Sequence, residues 1–152
     1  MNLILSYVKE INPCDVIAVV TADSRGDYIE EVMQEFGGKA LRLNFSSFNL
    51  NNYKYLKTLS CEKNIVAIAM DGPLGPAGEP KKLPFYLSNY SNKKIIGIKV
   101  EYKKVLKLRH RWDNYVIPVP GCNIKITFID FGLNSSEDNF SFLKNKIKIA
   151  ME

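Results

Sequence analysis

Three features of this 152-residue chain could do chemistry: a carboxylate behind an apolar run, a lone imidazole between arginines, and a lysine-rich strip. Asp71 opens the stretch Asp71-Gly72-Pro73-Leu74-Gly75-Pro76, directly after Ile65-Val66-Ala67-Ile68-Ala69-Met70. The apolar run predicts a buried strand. Two prolines and two glycines in six residues forbid a helix or a continued ladder beyond it. Asp71 is thereby placed on a rigid loop at a strand's exit, a common way to build a site. A tight turn with a solvated Asp fits the same composition. His110 is the only histidine and stands in Leu108-Arg109-His110-Arg111-Trp112. An imidazole suits a general base near neutrality, and flanking cations favour its neutral form. A packing or solvent-facing His is the plain alternative. Residues 93–111 hold eight Lys and Arg, among them Lys103, Lys104, Lys107, Arg109 and Arg111, against one acid, Glu101. Tyr102, Leu106 and Leu108 interleave with them. Such a strip suits anionic lipid head groups or a nucleic-acid backbone, and it equally fits a solvated face. Trp112 reads as a core anchor or an interfacial one.

The elements that must hold these residues alternate. Val16–Thr21 is a continuous apolar run and predicts a strand buried on both faces. A helix follows, with Ser24 as N-cap and Asp27 three residues on. Ile29, Val32, Met33 and Phe36 form its apolar stripe, and Gly37-Gly38 stops it. Ala40–Leu43 is a second strand, Asn44–Asn52 a polar and aromatic loop, and Tyr53–Leu59 a short helix. Ile65–Met70 comes next, then a helix around Pro84–Tyr90 with Pro84 in its first turn. Ile95–Val100 and Ile124–Ile129 are strands, and Phe140–Ile149 is a closing helix. Strand–helix alternation of this kind predicts a single-domain α/β layered fold, with a mostly parallel central sheet flanked by helices.

Composition bounds the rest. The length suits one domain with one core. A net charge of +5 favours an anionic partner. Cys14, Cys61 and Cys122 are isolated and odd in number, which suits a reducing compartment and excludes zinc spacing. Leu3-Ile4-Leu5 is too short for a signal or a membrane span, so the expected location is cytoplasmic.

Four segments, in order, carry a family resemblance. Ile65–Pro76 resembles the strand and Asp-Gly-Pro-x-Gly-Pro signature of a bacterial branch of the lysophospholipid acyltransferase-like superfamily, a domain of unknown function. Ser24-Arg25-Gly26-Asp27-Tyr28-Ile29 with Phe36-Gly37 is similar to that branch's Ser-Arg-Asp-Gly-Glu-Leu-Ile helix. Arg42 stands where the branch has the Arg of Arg-Gly-Ser-Ser. Arg111-Trp112-Asp113-Asn114-Tyr115-Val116-Ile117-Pro118-Val119-Pro120 resembles its Ser-Trp-Asp-Arg-Phe-x-Ile-Pro-x-Pro. The likeness spans residues 15–130.

The resemblance implies acyl transfer from acyl-CoA or acyl carrier protein to a lipid hydroxyl, with no further cofactor and no metal. It implies that Arg25, Arg42, Asp71, Gly72, Pro73 and Gly75 hold the acceptor's polar head, and that Asp27 and Asp71 descend from the family site. The family's catalytic His lies upstream, in a Trp-His segment, and that His-bearing portion is expected to be missing here; residues 1–70 contain no His. Other departures are the inverted Gly26-Asp27 order, Leu43-Asn44-Phe45 after Arg42, Leu74 for an Arg, Lys81-Lys82-Leu83 for Lys-Pro-Gly, and Gly97 for a Pro. One helical residue is ~100° of rotation, so the inversion re-aims the Asp27 carboxylate.

Three readings follow. The first is an acyltransferase whose base lies outside this chain. The second is a non-catalytic relative that binds phospholipid or an anionic membrane, peripheral at the inner face of the cytoplasmic membrane through Lys103, Lys104, Lys107, Arg109 and Arg111. The third is a basic nucleic-acid-binding domain, which lacks any zinc, helix-turn-helix or RNA-binding signature. Self-association is expected where a missing segment leaves apolar surface uncovered.

Overall fold

The structure, a computed structural model, describes residues 16–44, 50–61, 63–72, 75–108, 116–134 and 140–151. His110, Arg109, Arg111, Trp112 and Pro73 lie outside the described residues. The chain forms two compact units, Met1–Ala69 and Met70–Glu152. The fold is mixed α/β, with one parallel sheet and one antiparallel ribbon.

In the first unit, β1 (Val16–Thr21) leads through α1 (Ser24–Glu35) to β2 (Lys39–Leu43), then through α2 (Leu50–Cys61) to β3 (Ile65–Ile68). The strands are parallel in the order β2-β1-β3, and Val19 is level with Leu41 on one side and Ile68 on the other. β1 is central, which explains its unbroken apolar run: Ile17, Ala18 and Val20 are all buried. Ala18 and Val20 pack on Val32 and Met33 of α1, with Ile29 and Phe36 beside them, so the predicted stripe is the packing face. Ile17 points to the opposite side of the sheet, where the right-handed rule for parallel crossovers puts α2.

Three local expectations are corrected here. The N-cap of α1 is Asp23, not Ser24. An ionised carboxylate is a stronger acceptor than a hydroxyl at the positive end of a helix. α2 begins at Leu50, inside the segment read as loop, because buried Leu56 and Ser60 anchor a helix whose start has poor propensity. β3 ends at Ile68 and is an edge strand, with Ile65 39% exposed, rather than the buried strand the apolar run predicts. It pairs with β1 alone among the described strands, so one flank has no neighbour to cover it.

In the second unit, α3 (Leu83–Ser91) precedes two long strands, β4 (Ile95–Lys107) and β5 (Val116–Gly132), and α4 (Phe140–Met151) follows them. β4 and β5 pair antiparallel in a ribbon of their own, so the expected parallel sheet is made by β1, β2 and β3 and these two strands do not extend it. The eight residues between them are too few for a parallel crossover, which needs a dozen or more. Both strands also run beyond their apolar cores, because ladder pairing carries β4 into the basic strip. The pairing slips between Lys103 and Val105, where Lys104 takes φ 60°.

The ribbon's inner face builds the core of this unit. Phe131 meets Phe85 of α3 and Leu143 and Ile147 of α4, with Ile95 and Ile129 packed around them. A Cβ on Gly97 would lie 2.5 Å from the Phe131 ring, so this position is reserved for glycine. Lys99 Nζ donates to the Ala150 carbonyl at the end of α4, a cation at the negative helix terminus.

Candidate functional site

Each unit carries one of the groups of residues marked by the sequence. In the first, the chain leaves β1 at Thr21 and turns into α1 at Asp23. One oxygen of Asp23, Oδ1, accepts from Thr21 Oγ1 at 2.6 Å, Arg25 N at 3.0 Å and Gly26 N at 3.3 Å. The other, Oδ2, accepts from Arg25 Nη2 at 2.7 Å and Nε at 3.2 Å. The Arg25 guanidinium, followed by the Thr21 hydroxyl, holds this carboxyl well below the usual carboxylate range. Gly26 is required by close approach: a Cβ there would sit 1.9 Å from the Thr21 carbonyl oxygen.

Arg42, at the end of β2, reaches across to the same turn. Its Nη2 donates to the Asp23 carbonyl at 3.0 Å and to the Asp27 carboxylate, and its Nη1 lies 3.6 Å from Glu30. Asp27 and Glu30 are one helical turn apart, so Arg42 clamps one face of α1. The structure thus gathers Arg25, Asp27 and Arg42 around Asp23. In this corner three carboxylates face two guanidiniums, and Asp23 already takes the first free amides of α1. A phosphate arriving here would have to displace Asp27 from Arg42. An acidic residue directly before a Ser-headed helix was the signal available for Asp23.

In the second unit, Met70–Lys81 is a closed loop of the Ω type. Lys81 N donates to the Met70 carbonyl at 2.8 Å and shuts its neck. Asp71 Oδ2 accepts from Gly78 N at 3.3 Å, and Lys81 Nζ donates to the Gly75 carbonyl at 2.6 Å, crossing the interior. Gly72, Gly75 and Gly78 all hold positive φ, which lets the backbone fold round on itself. Among the described residues no donor meets Asp71 Oδ1.

Glu79 fastens the loop to α4. It pairs with Lys144 at 3.0 Å and with Lys148, cations one helical turn apart. Hydrogen bonds from Lys148 and then Lys144 pull the Glu79 carboxyl down to about 2. The Lys144/Lys148 spacing is legible in sequence; their partner 69 residues upstream of Lys148 is not.

Lys103, Lys104 and Lys107 sit exposed on the bulged half of the ribbon, beside Tyr102, Leu106, Leu108 and Ile117, all 37–55% exposed. No ion pair joins these three lysines to another described residue. No helix among the described residues is long and apolar enough to cross a membrane. Compared with protein-family models, curated proteins and solved structures, the chain matches none of them.

Proposed function

We propose that this chain is an acyltransferase-like protein that binds anionic phospholipid surfaces through the bulged half of the β4–β5 ribbon. The observation that carries this reading is the joint exposure of Lys103, Lys104 and Lys107 with Tyr102, Leu106 and Leu108. A lysine near an anionic leaflet contributes ~1 kcal/mol, so three contribute ~3 kcal/mol, about a hundredfold in partitioning. The apolar side chains between them can enter the head-group layer while the ammonium groups stay with the phosphates.

Co-sedimentation with phosphatidylcholine vesicles, with and without phosphatidylserine, tests this. Binding should require the anionic lipid and weaken as salt rises. A K103E/K104E/K107E variant should lose it. Salt-independent binding, or none, sinks the proposal, and a shift of nucleic acid at physiological salt would put the strip to a different use.

Asp71, whose Oδ1 meets no donor among the described residues, favours a second reading, in which the loop still receives a lysophospholipid head group for acylation. Incubation with acyl-CoA or acyl carrier protein and a lysophospholipid decides it. Product formation that disappears in Asp71→Ala supports transfer, and no product restricts the chain to binding.

A further inference from the structure

Beyond the slip at Lys104 the ribbon leaves the core of its unit behind. That core is built at the ribbon's other end, on Ile95, Ile129 and Phe131. Among the described residues, none of 102–108 or 116–123 belongs to a core cluster. Past the slip the register sets Leu106 directly opposite Ile117, so the two share a face. Strand alternation adds Leu108 and Val119, each two residues on in sequence. Leu106 is 55% exposed, Ile117 and Val119 39% each, and Leu108 37%. Val105, Lys107, Val116 and Pro118 fall on the reverse face. The slip leaves Lys104 opposite residues 119–122, and a bulge of this kind re-aims the side chains beyond it.

The charge around this apolar face selects its occupant. Residues 102–108 and 116–123 hold Lys103, Lys104 and Lys107 and contain no Asp or Glu. All three lysines are exposed. An apolar protein surface has nothing to pair with three ammonium groups, and a nucleic-acid backbone has nothing to cover four apolar side chains. An anionic bilayer supplies both, with head-group phosphates lying over acyl chains that begin within ~5–10 Å. Long lysine stems let the ammonium groups stay among the phosphates while their neighbours go deeper.

We infer that the distal half of the ribbon lies flat in one leaflet of an anionic membrane, with Leu106, Leu108, Ile117 and Val119 turned into the acyl-chain boundary and Val105, Lys107 and Pro118 left at the level of the head groups. The inference rests on the lipid-binding reading above and gives it a direction and a depth. Attachment then takes two signals, as it does for a single acyl chain beside a basic patch, and neither the four side chains nor the three lysines hold alone.

A cysteine scan of four neighbouring positions tests this. Val116→Cys, Ile117→Cys, Pro118→Cys and Val119→Cys are made one at a time in the full chain, with Cys14, Cys61 and Cys122 replaced by Ser, and each carries an environment-sensitive nitrobenzoxadiazole label. On vesicles of phosphatidylcholine and phosphatidylserine, labels at 117 and 119 should brighten, shift to the blue and be quenched by nitroxides on the lipid acyl chains. Labels at 116 and 118 should change little. Independently of any label, L106S/I117S should lower partitioning about tenfold or more. That loss should persist at high salt, because the lost term is apolar, whereas what K103E/K104E/K107E removes is sensitive to salt. A chain that sediments with the vesicles but shows no alternation between neighbouring labels, or that L106S/I117S leaves fully bound, overturns the inference and leaves the lipid-binding reading standing. A chain that does not sediment overturns both. The same alternating response to duplex nucleic acid without vesicles gives the face to another partner and overturns it as well.

Discussion

Replacing Gly26 by Ala sets two physical effects against each other with opposite signs. Helix propensity favours Ala over Gly by up to ~1 kcal/mol, so on local grounds the change stabilises α1. The structure says otherwise. A Cβ at this position would lie 1.9 Å from the Thr21 carbonyl oxygen and 3.1 Å from its carbon, and both are backbone atoms of β1 that no rotamer change can move. The start of α1 must therefore withdraw from the end of β1 by roughly 1.5 Å to reach an ordinary contact. Overpacking of this kind costs ~1–3 kcal/mol. The withdrawal also strains the Asp23 cap on Arg25 N and Gly26 N, worth ~1 kcal/mol when lost. The net expectation is a loss of about 1–3 kcal/mol. Urea unfolding followed by circular dichroism measures it as a lower midpoint with an unchanged slope. Gly78→Ala is the control, because its Cβ meets nothing within 4 Å and only the positive φ opposes it, at ~1–2 kcal/mol. If Gly26→Ala leaves the midpoint unchanged or raises it, the close approach of α1 to β1 is wrong.

Glu79 gives a pH prediction. Its folded pKa, about 2, lies below that of an ordinary carboxyl, so its pairing with Lys148 and Lys144 stabilises the chain above the unfolded value. That contribution is lost as pH falls from about 4.5 toward 2. Glu79→Gln should flatten the acid limb of a stability-versus-pH curve between those values, and an unchanged limb would show that the exposed pair contributes nothing measurable. Ile147 is 1% exposed in the core of the second unit, and Ile147→Ala should cost ~2–5 kcal/mol in the same urea assay.

What could be read from the sequence was whatever depends on neighbours within a few residues. The Val16–Thr21 strand and the Ile29, Val32, Met33, Phe36 stripe appear in the structure where their periodicity puts them, because β1 is central and α1 packs by one face. Pro84 sits in the first turn of α3 for the same local reason. The exposure of β3 escaped notice because being at an edge is a property of the sheet, and the Ile65 run looks the same with or without a second neighbour. β4 outruns Val100 because cross-strand pairing overrides the charge of Lys103 and Lys107. At the candidate site, the irregular loop at Asp71 was legible from its prolines and glycines. Its closure by Lys81 and its attachment through Glu79 were not, since neither leaves a local pattern.

The link between Glu79 and α4 also bears on the order in which the chain can be made. The Asp71 signature leaves the ribosome well before Lys144 and Lys148, so it emerges complete in sequence and unfastened in space. A contact across 69 residues cannot form until α4 has been made. A chain ended before α4 would keep every residue of the signature and lose what holds it still. Limited proteolysis should cut such a chain within residues 75–81 and spare the full-length one. The loop that carries Asp71 is thus held by a segment made more than sixty residues later.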